Sequence, residues 1–165
     1  MSETPRALED YREAIQLLRR LADVHWGTPA PDETIKQAEA ALGVAFPASL
    51  RAFIAEVGSC QIAHREILGI RGDAFSTEYA ANVVGASLLE RSWGLSPSRI
   101  VVENPGDGTR IVVDVARAGR VWKWVRRDTA DHDTTWDFDS FGAMLLQAAL
   151  DQAEEEGVAY EAGVR

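Results

Sequence analysis

IKQAEAALGVAFPASLRAFIAEVG, running from Ile35 to Gly58, holds two short amphipathic segments punctuated by Gly43, Pro47 and Gly58. Ile35, Ala38 and Leu42 recur at i, i+3 and i+7, and Gly43 stands where a helix end needs a residue that tolerates positive φ. The residue before a proline is pushed out of the α region, so Phe46 is expected to be extended and to point inward, with Pro47 opening the next helix. Leu50, Phe53, Ile54 and Val57 then give i, i+3, i+4 and i+7, one apolar stripe closed by Gly58. Two stripes joined by so few residues must face each other or a shared sheet.

The flanking segments supply that sheet. Ser59 to Arg65 reads as a loop and Glu66 to Arg71 as a short strand, Arg99 to Glu103 and Thr109 to Val115 are β-branched runs, and Asn104-Pro105-Gly106-Asp107-Gly108 between them makes an antiparallel hairpin. Ala118-Gly119 turns the chain into a further strand, Arg120 to Arg127, and Phe138 and Phe141 lead into a last helix stopped by Gly157, with Asp137 or Asp139 as its cap. Phe75 to Trp93 fits a helix through Val83, Val84, Ser87, Leu88 and Arg91, weakened by Gly85. The expected class is α+β, an antiparallel sheet of four to six strands packed against helices.

The spacing Ile35-x3-Glu39-x2-Leu42-Gly43-x2-Phe46-Pro47-x2-Leu50-x2-Phe53-Ile54-x3-Gly58 resembles the opening signature of the SUKH superfamily, which includes the fungal Smi/Knr cell-wall regulators and many bacterial toxin-immunity proteins. Ile67-Leu68-Gly69-Ile70 is similar to that family's first strand, and Leu89-Glu90-Arg91-x2-Gly94-Leu95-x-Pro97 to the lead into its central strands. The resemblance covers roughly Asp32 to Leu150. It implies a domain over 32–157, which leaves 1–31 as a helical extension and linker and 158–165 as a flexible tail.

In that extension Thr4 and Pro5 open a long helix over Pro5 to Val24 whose stripe is Leu8, Tyr11, Ile15, Leu18 and Ala22, and His25 to Pro31 reads as a Pro-stiffened linker. Such a helix can seal an edge of the core, pair with its copy in a homodimer, or touch a target.

At 165 residues the chain fits one domain, large enough to bury about two-thirds of its unfolded surface without disulfides or metal. Cys60 is the only cysteine and MSETPRALEDY has no secretory pattern, so the expected location is the cytoplasm. Ala143 to Leu150 is far too short to span a membrane. Seventeen Lys and Arg against 26 Asp and Glu, a formal charge of −9, argue against nucleic acid as a ligand and for a basic partner.

No chemistry-bearing constellation is legible. Cys60 and His64 form the only close pair of zinc-type ligands, His25 and His132 stand far from them, and no nucleophile elbow, phosphate loop or dinucleotide fingerprint is present. The expectation is therefore no catalytic residue, no metal and no cofactor.

Two features point to a partner instead. After Arg127 come ten acids, among them Asp128, Asp131, Asp133, Asp137 and Asp139, against Arg165 alone. They form either a solvated face or a surface that steers a basic protein. Trp122 and Trp124 share one face of their strand, as interface anchors if that face is open and as core if it is closed.

Resemblance to the bacterial branch implies an immunity protein, or antitoxin, that neutralises a cognate secreted toxin, a nuclease or nucleic-acid-modifying enzyme, by protein–protein contact. A regulatory interaction scaffold of the Smi/Knr type, and a small-ligand domain or enzyme with a cleft around Trp26, Trp93 and Trp136, are the alternatives.

Overall fold

The computed structural model describes residues 2–71, 75, 81–126 and 133–161, with the backbone alone at 133–136. In chain order the elements are α1 (Arg6–Leu18), β1 (Val24–Trp26), α2 (Asp32–Leu42), α3 (Ala48–Glu56), β2 (Cys60–Ile62), β3 (Arg65–Ile67), α4 (Val83–Arg91), β4 (Arg99–Glu103), β5 (Thr109–Asp114), β6 (Arg120–Val125), β7 (Asp133–Phe138) and α5 (Phe141–Glu156). The seven strands make one sheet in the order β1 to β7, every neighbouring pair antiparallel. The fold is α+β, with one strand more than the upper end of the expected range.

The helix pair forms as its spacing predicts. α2 ends on Gly43 at φ 70, and Phe46 is buried ahead of Pro47, which lies just before α3 in extended conformation. Glu39 explains the acid in the signature. Its carboxylate accepts from the Phe46 backbone N–H and from Arg51 Nη1, each at 3.0 Å, and so pins the turn between the helices from one side. Across the core Phe53 of α3 meets Phe141 of α5, ring centroids 5.2 Å apart.

The N-terminal helix packs most extensively on α5. Ala7, Tyr11, Ala14 and Leu18 are buried there, and Tyr11 donates its O–H to Glu56 of α3 at 2.7 Å. Of the three roles open to this helix, it seals the core.

It stops at Leu18, not near Val24, because the following residues have other partners. Glu156 at the end of α5 accepts from the backbone N–H groups of Ala22 and Asp23, at 2.7 and 2.8 Å, and Val24–Trp26 then pair with Cys60–Ile62. The start of the expected linker is thus strand β1. The expected loop from Ser59 to Arg65 is likewise the hairpin of β2 and β3, turned at Ala63, whose φ is 50. The cap of α5 is Ser140, which accepts from the Ala143 N–H, and not Asp137 or Asp139.

Candidate protein-interaction face

Register decides which side chains share a face. On β5 and β6, Arg110 lies opposite Trp124, Val112 opposite Trp122 and Asp114 opposite Arg120, while Arg126 follows two residues after Trp124. Arg99 on β4 is opposite Asp114. Directly opposed residues point the same way, so these tryptophans and arginines belong to one side of the sheet. Ile100, Val113 and Val121 are mutual partners on the other side, all fully buried.

The two tryptophans do not share a fate. Trp124 is 2 % exposed and is a core residue, not an exposed anchor. Trp122 is half-buried, with the Arg117 guanidinium 4.9 Å and the Arg99 guanidinium 5.9 Å from its ring centre, at cation–π distance. Its indole N–H is shielded from solvent and finds no hydrogen-bond partner among the described residues.

Glu90 organises the end of this face. The side chain projects from α4 and is almost wholly buried. One carboxylate oxygen receives Arg110 Nε at 2.9 Å and Arg126 Nη2 at 2.7 Å, while the other receives Arg126 Nε at 3.1 Å. A charge this shielded is tolerable only with such partners. Arg110 is held further by the Asn104 side chain and the Thr109 carbonyl. Arg126 lies over the ring of Trp93, 4.6 Å from its centre, and Trp93 is 52 % exposed. The arrangement is a rigid relay running from the α4 interior through Glu90 and Arg126 to an exposed indole.

Asp137 and Asp139 are exposed at the end of β7 and just after it. Asp133 pairs by its backbone with Trp124, while Asp128 and Asp131 lie outside the described residues, as does the Trp136 side chain. Trp26 and Trp93 do not line one cleft. Trp26 belongs to β1 at one end of the sheet and Trp93 stands against Arg126 beside the β6 end. Sequence alone marks Trp93 only as part of a supposed cleft with Trp26 and Trp136, and marks Glu90 only by its place inside Leu89-Glu90-Arg91, an acid on the apolar side of a helix.

Cys60 is buried in β2, and burial pushes its thiol up to about 12. His64 lies in the turn that follows. Among the described residues no three His, Cys, Asp or Glu gather as a metal would require, and no helix is long and apolar enough to cross a membrane.

No curated protein matches the chain. The SUKH family model described as SMI1-KNR4 cell-wall matches residues 8–148, from within α1 to within α5. With the helix pair, its Glu39 pin and the antiparallel sheet behind them all inside that span, the chain belongs to the SUKH superfamily.

Proposed function

We propose that this SUKH chain is an immunity protein, a binding protein that neutralises a cognate secreted bacterial toxin in the cytoplasm of the cell that makes it. The observation that carries the reading is the Trp93–Arg126 stack anchored on Glu90. It is an exposed aromatic and an arginine, the residue types that dominate interface hot spots, held rigid before any partner arrives. SUKH domains are in general non-catalytic interaction modules, and the buried carboxylates of Glu90, Glu103 and Asp114 are here held in ion pairs with arginines.

The toxin is expected to be basic, a nuclease or nucleic-acid-modifying enzyme. The charge of −9 favours a protein whose own substrate is anionic, and Asp137 and Asp139 stand exposed beside the face. Trp122 and the acids of 128–139 complete the candidate contact surface. A homodimer through α1 is not part of the proposal, because the apolar stripe of that helix is occupied by α5.

The test uses the chain as bait for the product of the adjacent gene. The expected result is capture of a protein with a secretion domain and a C-terminal toxin domain, and loss of that toxin's activity at equimolar immunity protein. A toxin that stays fully active in the presence of the chain overturns the reading.

A further inference from the structure

β1 and β7 are the two ends of the sheet, and β1 is bonded on one side only, with Val24 opposite Ile62, His25 opposite Gln61 and Trp26 opposite Cys60. The flanking bonds set the parity of this ladder. The Ala63 N–H donates to the Asp23 carbonyl at 2.9 Å and the Gly27 N–H to the Ser59 carbonyl at 2.7 Å. The Asp23 carbonyl, the backbone groups of His25 and the Gly27 N–H therefore point at β2, and the backbone groups of Val24 and Trp26 point out of the sheet. Among the described residues no strand lies on that side to receive them.

The side chains at this edge are equally unfinished. Trp26 shares a face with the buried Cys60 and Ile62, yet 42 % of it is exposed, so the cover over the core ends at this ring. It stands as a ridge between two recesses. One, of about 450 Å³, is walled by Pro29, Pro31, Ile70 and Arg71; the other, of about 180 Å³, lies beside Arg19 and Glu56. On the opposite face of β1, Asp23 and His25 are exposed, 3.8 Å apart.

We propose that the open edge of β1 takes an extended segment of a partner protein, alternating apolar and basic residues, as an eighth strand anchored on Trp26. Outward N–H and C=O groups select extended backbone, because only a strand can match their spacing. The Val24 and Trp26 side selects apolar residues, which would continue the core face over the ring. The Asp23 side, an exposed carboxylate in a chain of charge −9, selects cations at alternate positions. A second copy of the chain fits less well. Pairing β1 with itself about a two-fold sets His25 against His25 and brings two chains of charge −9 together. Protected edges carry lysine, proline or bulges. Val24-His25-Trp26 carries none of these and, among the described residues, is guarded only by being short.

This inference rests on the reading of the chain as a binding protein, and it puts a contact at the end of the sheet away from Trp93. The test is an NMR titration of the full chain with a short capped peptide of alternating valine and lysine, and with its glutamate-for-lysine counterpart. The lysine peptide is expected to shift and protect the amide protons of Val24 and Trp26, and the glutamate peptide to bind at least tenfold more weakly. Val24→Pro removes an N–H that no ladder bond uses, so the fold should persist by circular dichroism while peptide binding is lost.

Trp26→Ala, away from the backbone edge, should weaken binding about tenfold or more and serves if the proline variant does not fold. Equal binding of both peptides, or shifts confined to the Trp93 face, overturns the proposal, as does chain self-association through β1. A toxin bound and inhibited equally well by the Val24→Pro and Trp26→Ala chains overturns edge docking while leaving the immunity function standing. Lysine-peptide binding at β1 without any toxin partner supports the edge and removes the function.

Discussion

Glu90 shows what a single shielded carboxylate can organise. Its two oxygens bind two guanidiniums from different strands, and one of those guanidiniums carries the exposed ring of Trp93. Glu90→Ala leaves Arg110 and Arg126 facing each other without their anion. The expected cost is about 3 kcal/mol, toward the lower end for a broken buried pair because Arg126 is partly in water. Urea unfolding should show a lower midpoint at unchanged slope, with Trp93 fluorescence shifted to the red in the native baseline. An unchanged midpoint would mean the pair contributes nothing net.

Cys60 gives a pH test at the same scale. Burial raises the folded thiol from its ordinary 9.0 to about 12, so folding favours the neutral form. A raised folded pKa contributes stability that is fully present below 9 and lost as pH climbs through 12, with a slope of at most about 1.4 kcal/mol per pH unit. Cys60→Ala should flatten the alkaline decline in a thermal-melting series. At neutral pH the native thiol should also react with an aromatic disulfide reagent far more slowly than the urea-unfolded chain.

Among the elements, α1 and α5 meet closely enough for a glycine to matter. A Cβ on Gly142 would come within 2.0 Å of the Ala7 carbonyl oxygen, a backbone atom that cannot step aside without moving its helix. Gly142→Ala gains about 1 kcal/mol of helix propensity and loses more to the forced separation, so a net destabilisation of about 2 kcal/mol is expected by chemical denaturation. A more stable variant would show that the helices are free to slide.

The same contact marks the limit of what sequence patterning reveals. Periodicity located the α2–α3 pair, the β4–β5 hairpin and α5, because each has several apolar residues in phase between turn-forming residues. It missed β1 and β2, since three-residue strands carry too little alternation to stand out, and only pairing across the sheet makes them strands. α1 is legible as a helix, but sealing the core stays one of three open roles in the sequence, because its partner lies at the far end of the chain. Bulk on both faces of β6 likewise left Trp122 and Trp124 undecided. Their separation into half-buried and buried depends on what covers the sheet, which the strand's own residues do not encode.

For the whole molecule, charge and topology act together. A meander sheet in chain order places β1 and β7 at opposite ends, so the Trp26 edge and the acids at Asp137 and Asp139 are separate surfaces of one sheet. A net charge of −9 acts over both. If a basic toxin is the partner, long-range attraction raises the association rate and short-range packing around Trp93 and Trp26 sets the dissociation rate. The two should separate experimentally. Raising salt from roughly 0.02 to 0.5 M shrinks the screening length from about 20 Å to about 4 Å, which should slow association by at least tenfold in stopped-flow mixing and leave dissociation nearly unchanged. Asp137→Asn with Asp139→Asn should reduce that salt dependence, whereas Trp26→Ala should speed dissociation and leave the salt slope alone. An association rate indifferent to salt would remove charge from the recognition mechanism and leave shape alone to account for it.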